Sequence, residues 1–244
     1  MRMRRRKRGK AAAWLVLALS LCAAAFAAAQ LREPWQAYRE GSESYGQLID
    51  LARPVSPAPD MPIDFAALRA VSPDAAAWLT CPDTVIDYPV MRAKDYDYYL
   101  HRLPDGTYNA NGSLFIDYNC APDFMDQLTV VYGHHMKSGL MFGSLKGYKQ
   151  QAYYEKHPVM YLYTQQGKYR IDLLYGCVIG AGEWRERAFM HEANLDALLA
   201  YAARSTTFSS AAHYTPGDRI VALSTCSYEF DGARYVVIGV LRPA

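Results

Sequence analysis

The chain has 244 residues, which is enough for one domain of moderate size with extensions. Its net charge of +2 is unevenly spread. Seven of the 26 basic residues fall within residues 1–10, which leaves 19 basic against 24 acidic residues in the remainder. A mildly acidic remainder argues against nucleic acid as a partner. The five cysteines include no C-x-x-C pair, which excludes a zinc ribbon and a thioredoxin-like motif.

An uncharged apolar run of 19 residues at 11–29 follows the basic tail at 1–10. At about 1.5 Å per residue this run nearly spans the ~30 Å hydrocarbon core of a bilayer. With the basic tail it predicts a single-pass signal-anchor in the cell membrane, with a cytoplasmic N-terminus and the rest of the chain outside the cell. A cleaved signal peptide ending at 27–29 and a lipoprotein signal at Cys22 are the weaker alternatives.

The segment 30–62 differs in composition from the rest of the chain. A patchy helical pattern covers 30–53, and four prolines fall within 54–62, which is typical of a stiff linker. We therefore expect a helical stalk and proline-rich linker at 30–62, and a folded domain at 63–244.

Short segments with strand character dominate the domain at 63–244. The 20 tyrosines of the chain agree with a β-rich fold, because aromatic rings pack well on pleated surfaces. The strand candidates are 75–80, 85–91, 113–118, 128–132, 159–163, 168–179, 220–225 and 235–241. The helical patterns are 64–70, 96–100, 141–154 and 194–204, the last with Asn194 as its N-cap within a long connection at 180–218. Seven or eight strands with helices in their connections predict a β-barrel or a β-sandwich.

The last two strand candidates flank a polar turn at 231–232 and predict a hairpin. Cys226 closes the first strand and Arg234 opens the second, so the two side chains are expected to lie close together. His134 and His135 follow the strand at 128–132. Because neighbouring side chains point to opposite sides of an extended backbone, at most one of these histidines is expected to aim at Cys226.

A thiol, an imidazole and a guanidinium form a chemically sensible set. The thiolate is the nucleophile, and a free thiol with a pKa of ~8.5 needs a nearby base to form it at neutral pH. An imidazole supplies that base and later protonates a leaving amine. A guanidinium stays cationic and donates two hydrogen bonds to a developing oxyanion. The structural alternatives are a buried thiol, a structural histidine and a surface ion pair of Arg234 with Glu229 or Asp231.

The sequence A-L-S-T-C-S-Y-E-F-D-G-A-R-Y-V-V-I-G-V-L at 222–241 resembles the active-site hairpin of sortases, T-L-x-T-C followed by an arginine. Ala222 stands where that motif often has threonine. Further segments resemble class B sortases in particular: V-V-Y-G-H-H-M at 130–136, D-T-V-I-D-Y-P-V at 83–90, D-Y-D-Y-Y-L at 95–100, G-S-L-F-I-D-Y at 112–118 and F-G-S-L-K-G-Y at 142–148. They occur in order, and the likeness covers about 64–241.

The resemblance implies a mainly β fold: a closed, roughly eight-stranded barrel with N-terminal helices and a helix between the sixth and seventh strands. By position, it implies His134 as the catalytic histidine, Cys226 as the nucleophile and Arg234 as the arginine that orients the substrate or binds the oxyanion. Thr225 and Ser224 are the implied substrate contacts. His135 receives no role.

The implied reaction is transpeptidation. Cys226 attacks the backbone carbonyl of a threonine in the C-terminal sorting signal of a secreted surface protein, and the thioacyl enzyme passes the protein to an amine of peptidoglycan. The domain at 63–244 would be the catalytic domain, outside the cell and beside its anchor. No cofactor and no metal are expected. The resemblance leaves open whether the signal is N-P-x-T-x-like or P-x-T-G-like.

Four alternatives remain at this point. In the first, the acceptor amine belongs to a lysine of a pilin subunit. In the second, the chain is a non-catalytic surface module. A hydrolytic cysteine protease is a third possibility, although a papain-like enzyme would place its nucleophile early, on a helix, with the histidine downstream. The fourth is a domain stabilised by disulfides among Cys81, Cys120 and Cys177.

Overall fold

The computed structural model describes residues 2–53, 61–189 and 194–244. The chain forms two compact units, residues 1–43 and 44–244. The first helix, α1, covers Arg2–Ala52, in agreement with the N-terminal helices that the resemblance implied. The linker predicted at 54–62 falls mostly on residues 54–60, which lie outside the described residues.

The structure corrects the prediction of a membrane anchor at 11–29. Within the apolar run, the side chains of residues 14–29 are exposed. Among the described residues, no helix combines the length and hydrophobicity that a membrane crossing requires. The predicted localisation, a single-pass protein in the cell membrane with a cytoplasmic N-terminus and an extracellular catalytic domain, is therefore wrong.

The second unit is built from eight strands and short helices. The strands are β1 (Ala75–Thr80), β2 (Asp87–Arg92), β3 (Leu114–Ile116), β4 (Leu128–Tyr132), β5 (Val159–Thr164), β6 (Gly167–Gly180), β7 (Arg219–Cys226) and β8 (Ala233–Pro243). The α-helices are α2 (Phe65–Val71), α3 (Gln151–Lys156), α4 (Ala181–Phe189) and α5 (Leu195–Arg204), and 3₁₀ helices cover Tyr98–Leu100 and Phe142–Lys149. Each strand candidate from the sequence matches one of these strands.

The eight strands close into a barrel in the order β1-β2-β3-β4-β7-β8-β6-β5. The closed eight-stranded barrel is therefore confirmed. Most neighbours are antiparallel, but β2 pairs with β3 and β4 pairs with β7 in parallel. A parallel pair needs a long crossover, and the second of these crossovers contains β5, β6 and the helices α4 and α5. The predicted helix between the sixth and seventh strands is α5, and α4 precedes it.

Helices α4 and α5 cover one face of the barrel wall. Trp184 of α4 and Leu198 of α5 are buried in the same cluster as Val236 and Ile238 of β8. Asn194 caps α5 as predicted, because its side chain accepts a hydrogen bond from the backbone N–H of Ala197. This packing fixes the start of α4, which follows β6 directly, beside the end of the β7–β8 hairpin.

Truncation of the core tests this packing. Ile238→Ala removes a fully buried side chain between β8 and the helices, and we expect it to lower the free energy of unfolding by about 2–5 kcal/mol in urea denaturation. The matched control is Val85→Ala at an exposed position, with an expected change within about 0.5 kcal/mol. Equal losses in the two variants would contradict the packing described here.

Candidate active site

The β7–β8 hairpin places Cys226 directly opposite Arg234. The two residues are paired in the antiparallel register, at the end of the ladder next to the connecting loop. Gly232 in the connecting turn has φ of +72°, a left-handed conformation that glycine adopts without steric cost. The sequence prediction for this hairpin is confirmed: both residues sit on paired strands.

The parallel pairing of β4 with β7 brings His134 to the same end of the barrel. Tyr132 is the register partner of Ser224, and the N–H of Gly133 donates to the carbonyl of Ser224 at 3.2 Å. The Thr225 hydroxyl donates to the carbonyl of Gly133 at 2.7 Å. His134 and Cys226 each lie two residues beyond the Tyr132–Ser224 pair. The two residues are therefore level with each other along the direction of the paired strands.

Gly133 is the residue that lets this strand end approach its neighbours. A Cβ atom at this position would lie 2.4 Å from Cδ2 of Leu114 and 2.7 Å from Cδ2 of Phe142, closer than van der Waals contact allows. The absence of a side chain therefore lets β4 end tightly against the barrel. This close packing therefore fixes the backbone position of the next residue, His134.

The three predicted catalytic residues line one cleft of about 360 Å³. The cleft also contains Tyr96, Trp184 and Arg185, and the guanidinium of Arg185 lies 4.8 Å from the centre of the Tyr96 ring. His134 and Cys226 are partly exposed there. A peptide could therefore reach the thiol, the imidazole and the guanidinium from a single side.

A backbone carbonyl fixes the tautomer of His134. Nε2 lies 2.7 Å from the carbonyl oxygen of Leu100, the last residue of the 3₁₀ helix at Tyr98–Leu100. A carbonyl can only accept, so Nε2 must carry the proton of this hydrogen bond. In the neutral ring Nδ1 is then the basic nitrogen, free to take or return a proton.

His135 faces a different cavity and has a different partner. Its Nδ1 lies 2.9 Å from the carbonyl oxygen of Cys226, and its ring packs edge-on against Tyr228. Burial lowers the pKa of His135, and the nearby charges of Lys146 and Lys149 lower it further, although the bond to the Cys226 carbonyl opposes them. The two adjacent histidines therefore flank the nucleophile strand from opposite sides, as the extended backbone predicts.

Arg234 has no carboxylate partner among the described residues. Its Nη1 donates to the carbonyl of Ala233 at 3.2 Å. Glu229, an alternative partner suggested by the sequence, is instead engaged by Lys149 and by the hydroxyl of Ser227. The guanidinium of Arg234 is thus available for an anion or a carbonyl oxygen in the cleft.

The two residues before the nucleophile are deeply buried. The Thr225 hydroxyl is occupied by the Gly133 carbonyl, so this side chain joins the two strands that carry the site. The hydroxyl of Ser224 is buried and has no hydrogen-bond partner among the described residues. Both residues border the cleft, and their predicted contacts with a substrate stay a prediction.

The other thiols of the barrel unit are poor nucleophiles. Burial raises the pKa of Cys81, and it raises the pKa of both Cys120 and Cys177 to about 12. All five cysteines are free, which removes the alternative of a disulfide-stabilised domain. Of the four cysteines in this unit, Cys226 is the one that lines the cleft.

Sequence reasoning missed several residues of the site. Leu100 contributes a backbone carbonyl, which no side-chain pattern can announce. Trp184 and Arg185 come from α4, a helix that the sequence analysis did not propose. The sequence pattern that indicates this helix is present but short. Trp184 and Ala188 are buried at a helical spacing, and Glu183 forms an ion pair with Arg187 one turn later.

Comparisons with known proteins place this site in context. The chain is 32% identical to a protein named Sortase B from Listeria monocytogenes over 178 residues, which cover 71% of this chain and 72% of the relative. It is 28% identical over 177 residues, with the same coverage, to Sortase B from Staphylococcus aureus. No family profile matches the chain.

The fold of this chain is also similar to those of solved structures. A Staphylococcus aureus sortase B–substrate complex superposes with a TM-score of 0.68 at 27% identity, covering 74% of this chain and 85% of that one. A sortase B from B. anthracis, in complex with AAEK1, gives a TM-score of 0.73 at 26% identity, covering 86% of this chain and 100% of that one.

Thiol accessibility tests the assignment of the cleft. In the folded protein we expect a thiol-directed reagent to label Cys22 and Cys226, because Cys22 is exposed and Cys226 lines the cleft. In denaturant all five cysteines should react, as counted by intact mass. The control is Cys226→Ala, which should lose one label in the folded state. Labelling of Cys120 or Cys177 as fast as Cys226 would contradict the raised pKa values of these two thiols.

Proposed function

The chain belongs to the sortase B family of cysteine transpeptidases, and we propose that it anchors secreted proteins to peptidoglycan. In this proposal Cys226 cleaves a C-terminal sorting signal after its threonine and holds the protein as a thioacyl intermediate. An amine of peptidoglycan then accepts the protein. The observation that carries the proposal is the cleft in which Cys226 lies opposite Arg234, with His134 at the matching height on the neighbouring strand.

Acylation begins with a proton transfer between Cys226 and His134. With Nε2 held by the Leu100 carbonyl, Nδ1 accepts the thiol proton or pairs with the thiolate. The thiolate attacks the threonine carbonyl, and the imidazolium then protonates the leaving amine. The same bond to Leu100 holds the ring in place through both transfers.

Arg234 supports the charge that develops during this attack. The carbonyl oxygen of the scissile bond becomes negative, and a guanidinium without a carboxylate partner can donate to it. A lysine in this place would keep the charge but lose the planar fork of donors.

The substrate class follows from the cleft and from the relative. The S. aureus sortase B was solved as a substrate complex, which supports a sorting-signal peptide as the partner of the corresponding cleft here. The aromatic wall of Tyr96 and Trp184, beside the cation of Arg185, suits an extended peptide with polar side chains.

Replacing the nucleophile or the guanidinium tests this mechanism. With a panel of N-P-x-T-x and P-x-T-G peptides, we expect intact-mass measurements to show an acyl adduct on the wild type and none on Cys226→Ala. Arg234→Lys should slow acylation by about 10²–10³, because it removes oxyanion donors while keeping the charge. Unchanged thermal unfolding of both variants is the control. An adduct on Cys226→Ala, or normal rates for Arg234→Lys, would overturn these roles.

The two histidines provide a further comparison. His134→Ala should slow formation of the acyl enzyme by about 10²–10⁴, the usual contribution of general acid–base catalysis. His135→Ala should affect this step far less, because its ring bonds a backbone carbonyl and faces another cavity. The measurement is the single-turnover rate of adduct formation, and equal losses would reverse the choice of His134.

A further inference from the structure

The permanent charges on the wall of the catalytic cleft are positive. Apart from the ionisable pair of Cys226 and His134, the charged side chains that line the cleft are Arg185 and Arg234, and no Asp or Glu of the described residues borders it. Arg234 lies opposite the nucleophile and serves the scissile carbonyl in the proposed mechanism. Arg185 comes from helix α4 and has no task in that mechanism. Its charge is therefore open to a group of the substrate.

The packing of helix α4 determines where Arg185 points. Trp184 is 2% exposed and anchors the helix in the buried cluster that includes residues of β8. Successive residues of an α-helix are rotated by about 100°, so Arg185 is turned away from the buried side. Its guanidinium lies 4.8 Å from the centre of the Tyr96 ring, in the connection between β2 and β3. The contact thus joins two separate connections of the barrel at the wall of the cleft.

The Tyr96 ring is a fixed support for this guanidinium. It packs edge-on against Tyr118 and Tyr132, with ring centroids 4.6 and 6.0 Å away. Its hydroxyl accepts a hydrogen bond from the side-chain amide of Asn119 at 3.2 Å. A guanidinium that lies over an aromatic face still presents N–H donors at its rim. The contact with Tyr96 therefore holds Arg185 in place and leaves donors for a ligand.

No carboxylate pairs with Arg185 within the part of the chain that the structure describes. Glu183 is engaged in an ion pair inside α4. Asp117 is fully buried, and its oxygens accept hydrogen bonds from the hydroxyl of Tyr132 and from the backbone and side chain of Asn119. Arg185 itself is exposed. A carboxylate that enters the cleft can therefore reach this cation without displacing an internal partner.

The contact between Arg185 and Tyr96 lies a short step from the reacting groups. Tyr132, whose ring packs against Tyr96, precedes His134 by two residues, and His134 is level with Cys226. Two residues of an extended chain cover about 6.6 Å. A peptide with its threonine carbonyl at Cys226 therefore brings a side chain next to the threonine toward Arg185.

We propose that Arg185 is a specificity-determining residue, which binds an acidic side chain at the position directly before the threonine of the sorting signal. The inference rests on the proposed function, which supplies the peptide and its threonine. Both candidate signals, N-P-x-T-x and P-x-T-G, leave this position open. A carboxylate there accepts hydrogen bonds from the planar fork of the guanidinium, whereas an ammonium group is repelled by its charge.

The test compares peptides that differ in charge at this one position. The parent is the sorting peptide that labels Cys226 most readily, and the residue before its threonine is set to glutamate, glutamine or lysine. Glutamate and glutamine have the same length, so the ratio of their rates reports the charge. The measurement is the rate of acyl-adduct formation at low peptide concentration and low salt, followed by intact mass.

We expect the wild type to react roughly fivefold faster with the glutamate peptide than with the glutamine peptide, the effect of one exposed charge pair. The lysine peptide should react more slowly than either. Arg185→Gln should bring the glutamate-to-glutamine ratio close to one, and Arg185→Glu should make the lysine peptide the fastest. Salt at about 1 M should weaken the preference of the wild type, because it screens exposed charges.

The matched control is Arg187→Gln on the same helix. Arg187 also lies over a tyrosine ring, 4.5 Å from the centre of Tyr201, and it pairs with Glu183. Two residues of a helix are separated by about 200° of rotation, so Arg187 and Arg185 lie on opposite sides of α4. Arg187 does not line the cleft. This variant should keep the wild-type ratio, and thermal unfolding checks the fold of every variant.

The outcomes separate the two claims. If no sorting peptide acylates Cys226 in the wild type, the proposed function fails and this inference fails with it. If the adduct forms but the glutamate and glutamine peptides react equally, or the preference survives in Arg185→Gln, the function stands and the role of Arg185 is wrong. An equal fall of the ratio in Arg187→Gln would also contradict this role, because the preference would then come from the helix and not from the Arg185 guanidinium.

Discussion

The candidate site depends on β7, a central strand with one parallel and one antiparallel neighbour. The parallel pairing with β4 sets the height of His134, and the antiparallel pairing with β8 sets Arg234 across from Cys226. Backbone hydrogen bonds fix both registers, so the three side chains begin from positions that do not rely on flexible loops. A shift of one residue in either pairing would turn a functional side chain to the opposite face.

The barrel topology explains why residues far apart in sequence meet at this end. A parallel pair cannot be joined by a tight turn, so the chain between β4 and β7 must cross over. That crossover brings α4 against the cleft and places Trp184 and Arg185 on its wall. The same connection that the parallel pairing requires therefore also supplies part of the site.

Much of this could be predicted from sequence, and the failures have physical causes. Two β-prone runs at 220–225 and 235–241 and the turn at 231–232 were sufficient to predict the hairpin, because local propensity and tertiary packing agree there. The Leu100 carbonyl could not be foreseen, since a backbone group has no residue signature. The partner of Glu229 is Lys149, 80 residues away, which spacing along the chain cannot show. The apolar run at 11–29 suggested a membrane anchor, and that prediction was wrong.

The structure of a trapped thioacyl adduct tests the central claim most directly. With a peptide analogue bonded to Cys226, the account predicts that the acyl oxygen accepts a hydrogen bond from the Arg234 guanidinium at about 2.7–3.1 Å. It also predicts that the His134 ring keeps its bond to the Leu100 carbonyl and presents Nδ1 to the sulfur. An acyl oxygen beyond the reach of Arg234, with the His134 ring turned away from the sulfur, would contradict the account.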